Sequence, residues 1–495
     1  MISPRLSAVA GILLPLAAIA QSPEPVTPER ILNSTTSGAQ NVVAIAPTPN
    51  GFVAVWESAG QDGDGDAIIA RRFDTQGLPL SGEIVVNTTT AGDQLEPDVA
   101  TDAQGNFVVV WETPANGGDI AMRLFNAAGE PLTPEMTVNQ TLPGKQAKPT
   151  VGRLPSGDFA VAWEGPGTGL DVYLREFDPT GLPYGDEMVV NQTLAGDQGD
   201  PDLACNEAAM IVVWEGQDAS GSGVYFRRVS SPVGNETRAN VGTAGDQDDA
   251  SVALDAQGRF VIAWESASGD GSGNGIVARS FNANGTPLTG DTKINTFTAG
   301  TQEDPTVTVS PDGTAVVAWE SAEQDGDADG LFMQRFDFAT HVFRGVETPV
   351  TTTTADDQQD PCAIILPNGR MVISWESSQQ DGSADTAIAR VFKLPPTSGT
   401  STKPVVALTG KKKIVTSKAA VVLKGTATDN GAIEEVLVTD SSKTKTLAKL
   451  KVRNGVTSWK ARVRLKAKRN VFTIQAKDNS GTKSKAIKAK VIRKP

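Results

Sequence analysis

Between Glu29 and Phe392 the chain is built from short runs in which apolar and polar residues alternate, separated by breaks bearing Gly, Asp and Asn, and no stretch of helical period interrupts them. In one unit the runs are Pro97 to Thr101, Phe107 to Glu112, Asp119 to Phe125 and Glu135 to Asn139, with a turn at residues 103–106 (AQGN). Each reads as a strand. The same text then returns: 87–112 (NTTTAGDQLEPDVATDAQGNFVVVWE) is matched by 240–265 (NVGTAGDQDDASVALDAQGRFVIAWE). The pair Trp-Glu marks seven copies, at Trp56, Trp111, Trp163, Trp214, Trp264, Trp319 and Trp375, spaced 50 to 56 residues apart.

Four short antiparallel strands recurring at such a period predict an all-β, seven-bladed β-propeller over residues 29–393, because each unit buries its apolar faces only against its neighbours. The ends fit closure of the ring. A run at Glu29 to Asn33 precedes the first full unit, and the seventh unit stops after its third run at Ala389 to Phe392, so the N-terminal strand is expected to complete the last blade and remove its unpaired edge. The repeated Trp is expected to pack between blades. Arg71, Arg123, Arg175, Arg227, Arg279 and Arg390 recur on the third strands, with Gln334 in the sixth unit, and a structural pair between the Glu after each Trp and this Arg is expected. The alternative is a ring of seven carboxylates lining a shared binding site.

Charge divides the chain further. Up to Gly399 there are 20 Lys+Arg against 53 Asp+Glu, net −33, whereas Thr400 to Pro495 carries 24 against 5, net +19. An asymmetry of that size marks separate domains. The boundary falls at 394–403 (LPPTSGTSTK), a linker, and residues 404–495 form a basic domain. Residues 1–20 hold one Arg, then an apolar run ending in Ala18-Ile19-Ala20, the pattern of a cleaved secretory signal. The chain is therefore expected to be secreted, extracellular or at the cell surface, or periplasmic, and monomeric. One His and two Cys exclude zinc cages, disulfide frameworks and a His-based triad beyond His341, which is expected to be a solvated loop residue.

Two acidic loop types emerge on one face of such a propeller. Asp62, Asp64 and Asp66, and Asp325, Asp327 and Asp329, stand at alternate positions with Gly between; Asp270, Ser272 and Asn274, and Asp381, Ser383 and Asp385, repeat the oxygen spacing with weaker ligands. That spacing supplies half of an oxygen-rich Ca²⁺ loop, although the bidentate Glu at the twelfth position is replaced by Phe73 or Phe336. The competing reading is a plain Asp-Gly hairpin turn. The second loop type, Ala-Gly-Asp-Gln, places Asp93, Gln94, Asp197, Gln198, Asp246 and Gln247 on the expected binding face.

The phrase FVVVWES followed by QDGDG, AR-FD, G-PL, VN and AGDQ resembles repeats of bacterial secreted and surface proteins, which often also carry calcium-binding or cadherin-like modules. The resemblance covers residues 29–392 and implies an extracellular propeller; it brings no catalytic residues. Residues 404–495 resemble a bacterial immunoglobulin-like β-sandwich on 422–436 (VLKGTATDNGAIEEV) and 472–480 (FTIQAKDNS). Within it Trp459, Ala461, Val463 and Leu465 alternate with Lys460, Arg462, Arg464 and Lys466, and Lys488 and Lys490 extend a cationic set that would attract polyanions.

These features predict a non-catalytic extracellular binding or adhesion protein. Its acidic face would be a multivalent platform for a polysaccharide or surface protein, with weak calcium sites, and its basic domain a spacer or anchor to an anionic surface polymer. Near-equivalent blades argue against an enzyme, which needs two carboxylates in different environments. The alternatives are a carboxylate-driven propeller glycoside hydrolase or lyase, and an envelope protein self-associating through its acidic and basic parts.

Overall fold

The computed structural model describes residues 22–395, except 142, 143, 219, 268 and 383, and residues 405–409, 413–428, 433–453, 456–466, 468–478 and 483–494. The expected signal at 1–20 and linker residues 396–403 lie outside them. Seven antiparallel sheets follow one another along the first part of the chain. In the second, strands Leu95–Thr101, Phe107–Thr113, Asp119–Phe125 and Met136–Thr137 fall close to the four alternating runs. The seventh comprises Gln358–Ile365, Arg370–Ser378 and Asp385–Lys393, and Arg30–Ile31 pairs with its last strand, with Arg30 opposite Ala389. Glu24–Pro25, a segment not read as a strand from the sequence, pairs further along the same strand. This is an all-β chain of repeated four-stranded sheets, an arrangement consistent with a propeller.

The seven Trp are fully buried and pack into cores that each join two neighbouring sheets. Their indoles still need an acceptor, since an unpaired buried N–H is costly. Five of them find it in the Gln of the turn before their sheet's first strand, which follows Gly-Asp in three of the five, as in Trp111 Nε1 to Gln94 Oε1 at 3.2 Å and Trp214 to Gln198 at 3.1 Å.

The expected Glu–Arg pair does not form. Arg123 stands opposite Val109 and Glu112 opposite Ile120, so the two lie three residues apart on a strand, on opposite faces and about 10 Å from each other along it. Arg123 instead donates Nη1 to Val86 O of the preceding sheet at 2.8 Å and Nε to Thr133 O at 3.2 Å, with its guanidinium 5.5 Å from the Phe125 ring. Five equivalents repeat the bond to the preceding sheet, and Arg71 donates to Leu32 O at 2.7 Å, which ties the first sheet to the end of the N-terminal strand on the seventh.

A second set of clasps sits at the outer edge. Glu135 accepts the amides of Thr88 and Thr89 at 2.6 and 3.0 Å. Glu83, Glu187, Glu236, Asp291, Glu347 and the N-terminal Glu29 each receive the turn of the sheet before them in the same way. Burial acts to raise Glu29, Glu83 and Glu135, but the amides and hydroxyls of the neighbouring turn outweigh it and hold all three below the usual range.

His341 is buried, which corrects its expected place in a solvated loop. Its Nε2 lies 2.8 Å from Ser280 Oγ of the neighbouring sheet and its ring packs on Phe336. Burial pushes its pKa down to about 4.

The C-terminal part forms two sheets around a core containing Leu423, Val436, Trp459, Phe472 and Ile474. One holds Val405–Leu408, Ala420–Thr428, Val456–Arg464 and Lys449–Arg453; the other holds Lys413–Thr416, Ile487–Arg493, Lys468–Asp478, Ile433–Asp440 and Lys445–Leu447. Among the described residues no helix is long and apolar enough to cross a membrane.

Candidate functional site

The first strand of every sheet in the repeat carries a β-bulge, and at each bulge one residue adopts positive φ: Val42, Glu96, Lys148, Asp200, Asp249, Asp304 and Asp360, all between 48° and 52°. For residues with a Cβ this conformation costs about 1–2 kcal/mol each. It persists because the bulge frees a backbone N–H, and the Glu after the preceding sheet's Trp accepts it. Glu57 takes the amide of Glu96 at 2.6 Å, Glu112 that of Lys148 at 2.8 Å, Glu164 that of Asp200 at 3.1 Å, Glu215 that of Asp249 at 2.7 Å and Glu320 that of Asp360 at 2.6 Å. Glu376 of the seventh sheet takes the amide of Val42 in the first at 3.1 Å. In the fifth sheet Glu265 receives the side-chain amide of Asn274.

Each bulge thus sets its own side chain beside a buried or half-buried Glu from the neighbouring sheet. Six of the seven bulge side chains are ionisable, and five of those are acidic. Two groups become tight: one oxygen each from Asp200, Glu215 and Asp249, and one each from Asp304, Glu320 and Asp360, lie within 4.8 Å of one another. These are the acidic triplets close enough to share a cation or a proton among the described residues. Burial, with the fields of Asp200, Asp249 and Asp248 added, pushes Glu215 up to about 8 although the Asp249 amide opposes it. Asp249 is pushed up to about 6, mainly by burial. Burial raises both Asp304 and Glu320.

Asp200 and Glu215 of the first group line a cavity of about 410 Å³ together with Lys148, Glu164, Asp197 and Gly216, and Asp249 stands beside them through Glu215. Its space comes from local sequence. In the third and fourth sheets the residue after Trp-Glu is Gly165 or Gly216, where the other sheets have Ser or Thr, and the residue before the bulge is Gly199. A Cβ at Gly199 would stand 2.5 Å from Glu164 Oε2. Lys148 pairs with Asp200 at the rim; burial opposes its charge, but the Asp200 carboxylate and its neighbours hold its pKa above the usual lysine value.

The residues singled out in the sequence divide differently. Gln94, Gln198 and Gln247 are not on a binding face; they are buried because the Trp indoles need them. Asp93, Asp197 and Asp246 are exposed and accept the loop amides of Asp66, Leu170 and Ser222. Asp197 alone of the three lines the cavity.

Among the described residues the Asp-Gly loops assemble no carboxylate triplet, and in three of the four the first Asp accepts an Asn side chain. Asp62 Oδ2 accepts Asn87 Nδ2 at 2.5 Å, Asp270 accepts Asn295 at 2.8 Å and Asp381 accepts Asn33 at 3.0 Å. Asn87 and Asn295 in turn cap third strands, accepting Ile68 N and Ile276 N at their Oδ1 atoms. Asp64 accepts the Gly92 amide, Asp327 and Ser272 turn their amides onto Asp325 and Asp270, Asp329 donates its amide to Asp357, and Asp385 accepts Ser378 Oγ. Asp325 stands where Thr351 replaces the Asn, and its Oδ2 has no hydrogen-bond partner. Asn274 is bound to Glu265. Ser383 lies outside the described residues.

The cationic set also separates. Lys460, Arg462 and Arg464 lie on an interior strand of one C-terminal sheet, with Lys466 just past its end, whereas Lys488 and Lys490 are on a strand of the other. The residues that sequence reading missed are the bulge side chains, above all Lys148, Asp200 and Asp249. Their signal was present as the second residue after the Gln of the turn before each first strand, but a period-2 reading gives no reason to expect a bulge there.

No protein-family model matches the chain, and no curated protein matches it. Solved structures do. A protein of unknown function from Dyadobacter fermentans is 12% identical with a TM-score of 0.45, covering 61% of this chain and 94% of that one. An ulvan lyase, titled a polysaccharide lyase, is 10% identical with a TM-score of 0.43 over 75% and 94%. An endo-arabinase from Bacteroides thetaiotaomicron is 14% identical with a TM-score of 0.31 over 47% and 89%.

The expectation of a non-catalytic binding protein is corrected. Its premise, that near-equivalent repeats offer only equivalent carboxylates, fails in this chain's own geometry. The repeated carboxylates are not equivalent: Glu112 has Lys145 Nζ at 3.1 Å, Glu265 is bound to Asn274, and Glu215 faces Asp200, Asp249 and an open cavity.

Proposed function

We propose that this chain is a secreted glycoside hydrolase that cleaves a polysaccharide at the cavity lined by Asp200 and Glu215, with Asp249 beside them. The observation that carries the reading is a pair of adjacent carboxyls whose environments push their pKa values apart, Glu215 to about 8 and Asp249 to about 6, beside a cavity able to admit a sugar. At neutral pH Glu215 holds its proton and serves as the general acid toward the glycosidic oxygen. Asp249, ionised, stabilises the developing oxocarbenium ion and attacks it. Lys148 remains an ammonium and fixes Asp200 at the rim.

One oxygen from each carboxyl lies within 4.8 Å of the others, which supports a two-step, retaining route, with carboxyls roughly 5–5.5 Å apart, over an inverting pair roughly 6.5–9.5 Å apart. In the same reading the seven sheets are the blades of a closed propeller, supported by the bonds from Glu376 to Val42 and from Arg71 to Leu32. The C-terminal sheets are an immunoglobulin-like module, and the apolar N-terminal run is a secretory signal.

Incubation with a panel of neutral and acidic polysaccharides, scored by released reducing ends and by proton NMR of the first-formed anomer, tests this. Release with retained anomeric configuration is expected. No release from any member, or inversion, overturns the reading.

A further inference from the structure

The C-terminal sheet of Val405–Leu408, Ala420–Thr428, Val456–Arg464 and Lys449–Arg453 contains no acidic residue in any of its four strands. Its register sets like charges side by side. Lys424 is directly opposite Lys460, and Lys460 is directly opposite Lys449 on the next strand, so three ammonium-bearing side chains form one row across three strands about 4.8 Å apart. Lys451 follows beyond Ser458, and Arg462 and Arg464 continue along the central strand. All six cations are exposed, while the intervening Trp459, Ala461 and Val463 are buried. None of the six forms an ion pair with a carboxylate among the described residues.

Such a row is unfavourable by itself, because like charges directly opposite destabilise a sheet. The other sheet of the same domain is built differently: there Glu435 is opposite Lys477, and its like charges stop at pairs, Lys413 beside Lys490 with Val471 next in the row and Lys468 beside Arg493 with Thr416 next. The domain is basic throughout, yet among the described strands only one face carries a row of three cations with no carboxylate opposite. We propose that this face, centred on Lys424, Lys449 and Lys460, binds a linear anionic polysaccharide bearing carboxylate or sulfate groups.

The polymer runs across the strands along the cation row. Its binding releases condensed counterions, which supplies the affinity. Val422, 45% exposed between Lys424 and the strand end, adds an apolar contact for the sugar backbone. The choice of a glycan rests on the polysaccharide reading of the Glu215 cavity; the charge of the polymer rests on this face alone. The domain then holds an acidic glycan that the net-negative repeat would otherwise repel.

Binding of the full chain to polygalacturonate, dextran sulfate, neutral dextran and a duplex DNA oligonucleotide is measured by isothermal titration calorimetry between 50 and 200 mM NaCl. Both acidic glycans are expected to bind, neutral dextran is not, and affinity is expected to fall at least roughly tenfold over that salt range. The triple variant Lys424→Gln, Lys449→Gln, Lys460→Gln is expected to weaken binding at least about tenfold. It should also flatten the plot of log affinity against log salt by about 2, from roughly 0.7 per neutralised charge on a single-stranded polyanion. Lys488→Gln with Lys490→Gln is expected to bind as the parent does. Because relief of like-charge contacts cannot cost stability, the triple variant should melt no lower than the parent, which separates lost binding from lost fold. Equal binding by the triple variant, equal binding of neutral dextran, or tighter binding of DNA than of either acidic glycan overturns the proposal. Binding is scored without turnover, so retained binding without cleavage removes only the hydrolase reading, and cleavage without binding to this face removes only the present one.

Discussion

Glu215 Oε1 accepts the backbone amide of Asp249 at 2.7 Å, and that single bond joins the fourth sheet to the bulge of the fifth while bringing their carboxylates together. Fold and candidate chemistry share the same atoms. The bond holds Asp249 in its left-handed conformation, and the resulting crowding of negative charge favours the protonated form of Glu215.

The crowded carboxyls make stability fall as pH rises. Glu57, Glu215 and Glu265 are raised to about 8 and Glu376 to about 7, chiefly by burial, so each binds its proton more tightly in the folded chain. Their contribution is intact below the unfolded value near 4.5 and is lost as pH climbs through 7 to 8. Glu29, Glu83 and Glu135 act oppositely, losing stability only as pH falls below that unfolded value, and His341 offsets part of the trend between about 4 and 6.5. The melting temperature is expected to drop between pH 5 and pH 8.5 by more than the roughly 2–4 °C that about 1 kcal/mol produces in a chain of this kind. A flat or rising profile by differential scanning calorimetry would count against protonated Glu57, Glu215, Glu265 and Glu376 in the folded chain.

Arg123→Met removes the donors to Val86 O and Thr133 O and leaves the Val86 carbonyl unpaired at the junction of two sheets. A loss of about 1–3 kcal/mol is expected by urea unfolding. A change below about 0.5 kcal/mol would mean that the guanidinium is held in place without holding the sheets.

Asp62 Oδ2 accepts Asn87 Nδ2, which ties the loop to the end of the first sheet. Asp62→Ala should therefore lower stability by about 1–2 kcal/mol to a similar extent in EGTA and in excess Ca²⁺. A loss seen only when Ca²⁺ is present would restore the loop as a metal site.

His341 is the only histidine, so its ring protons can be followed by NMR without assignment. No titration is expected between pH 8 and 5, with a midpoint near 4. A midpoint near 6.5 would place the ring in solvent.

The repeat, its four strands and the pairing of the N-terminal strand with the seventh sheet were legible because Trp-Glu recurs at a fixed period and strand alternation is a local property. Trp459, Ala461, Val463 and Leu465 were legible as core for the same reason. The site was not. Asp200 and Glu215 meet Asp249 only across a sheet junction, and the bulge that aims them breaks the alternation used to find strands. Gln198 was misread because a polar residue in a Gly-rich turn looks exposed until the buried Trp214 indole demands an acceptor.

The most direct test of the central claim is the turnover of Glu215→Gln on whichever polysaccharide the parent cleaves. The amide keeps an oxygen for the Asp249 N–H, so the fold and the melting temperature should hold, while loss of the transferable proton is expected to lower kcat by roughly 10²–10⁴-fold and to abolish the alkaline limb of the pH profile near 8. A folded Glu215→Gln variant with parental kcat would contradict it.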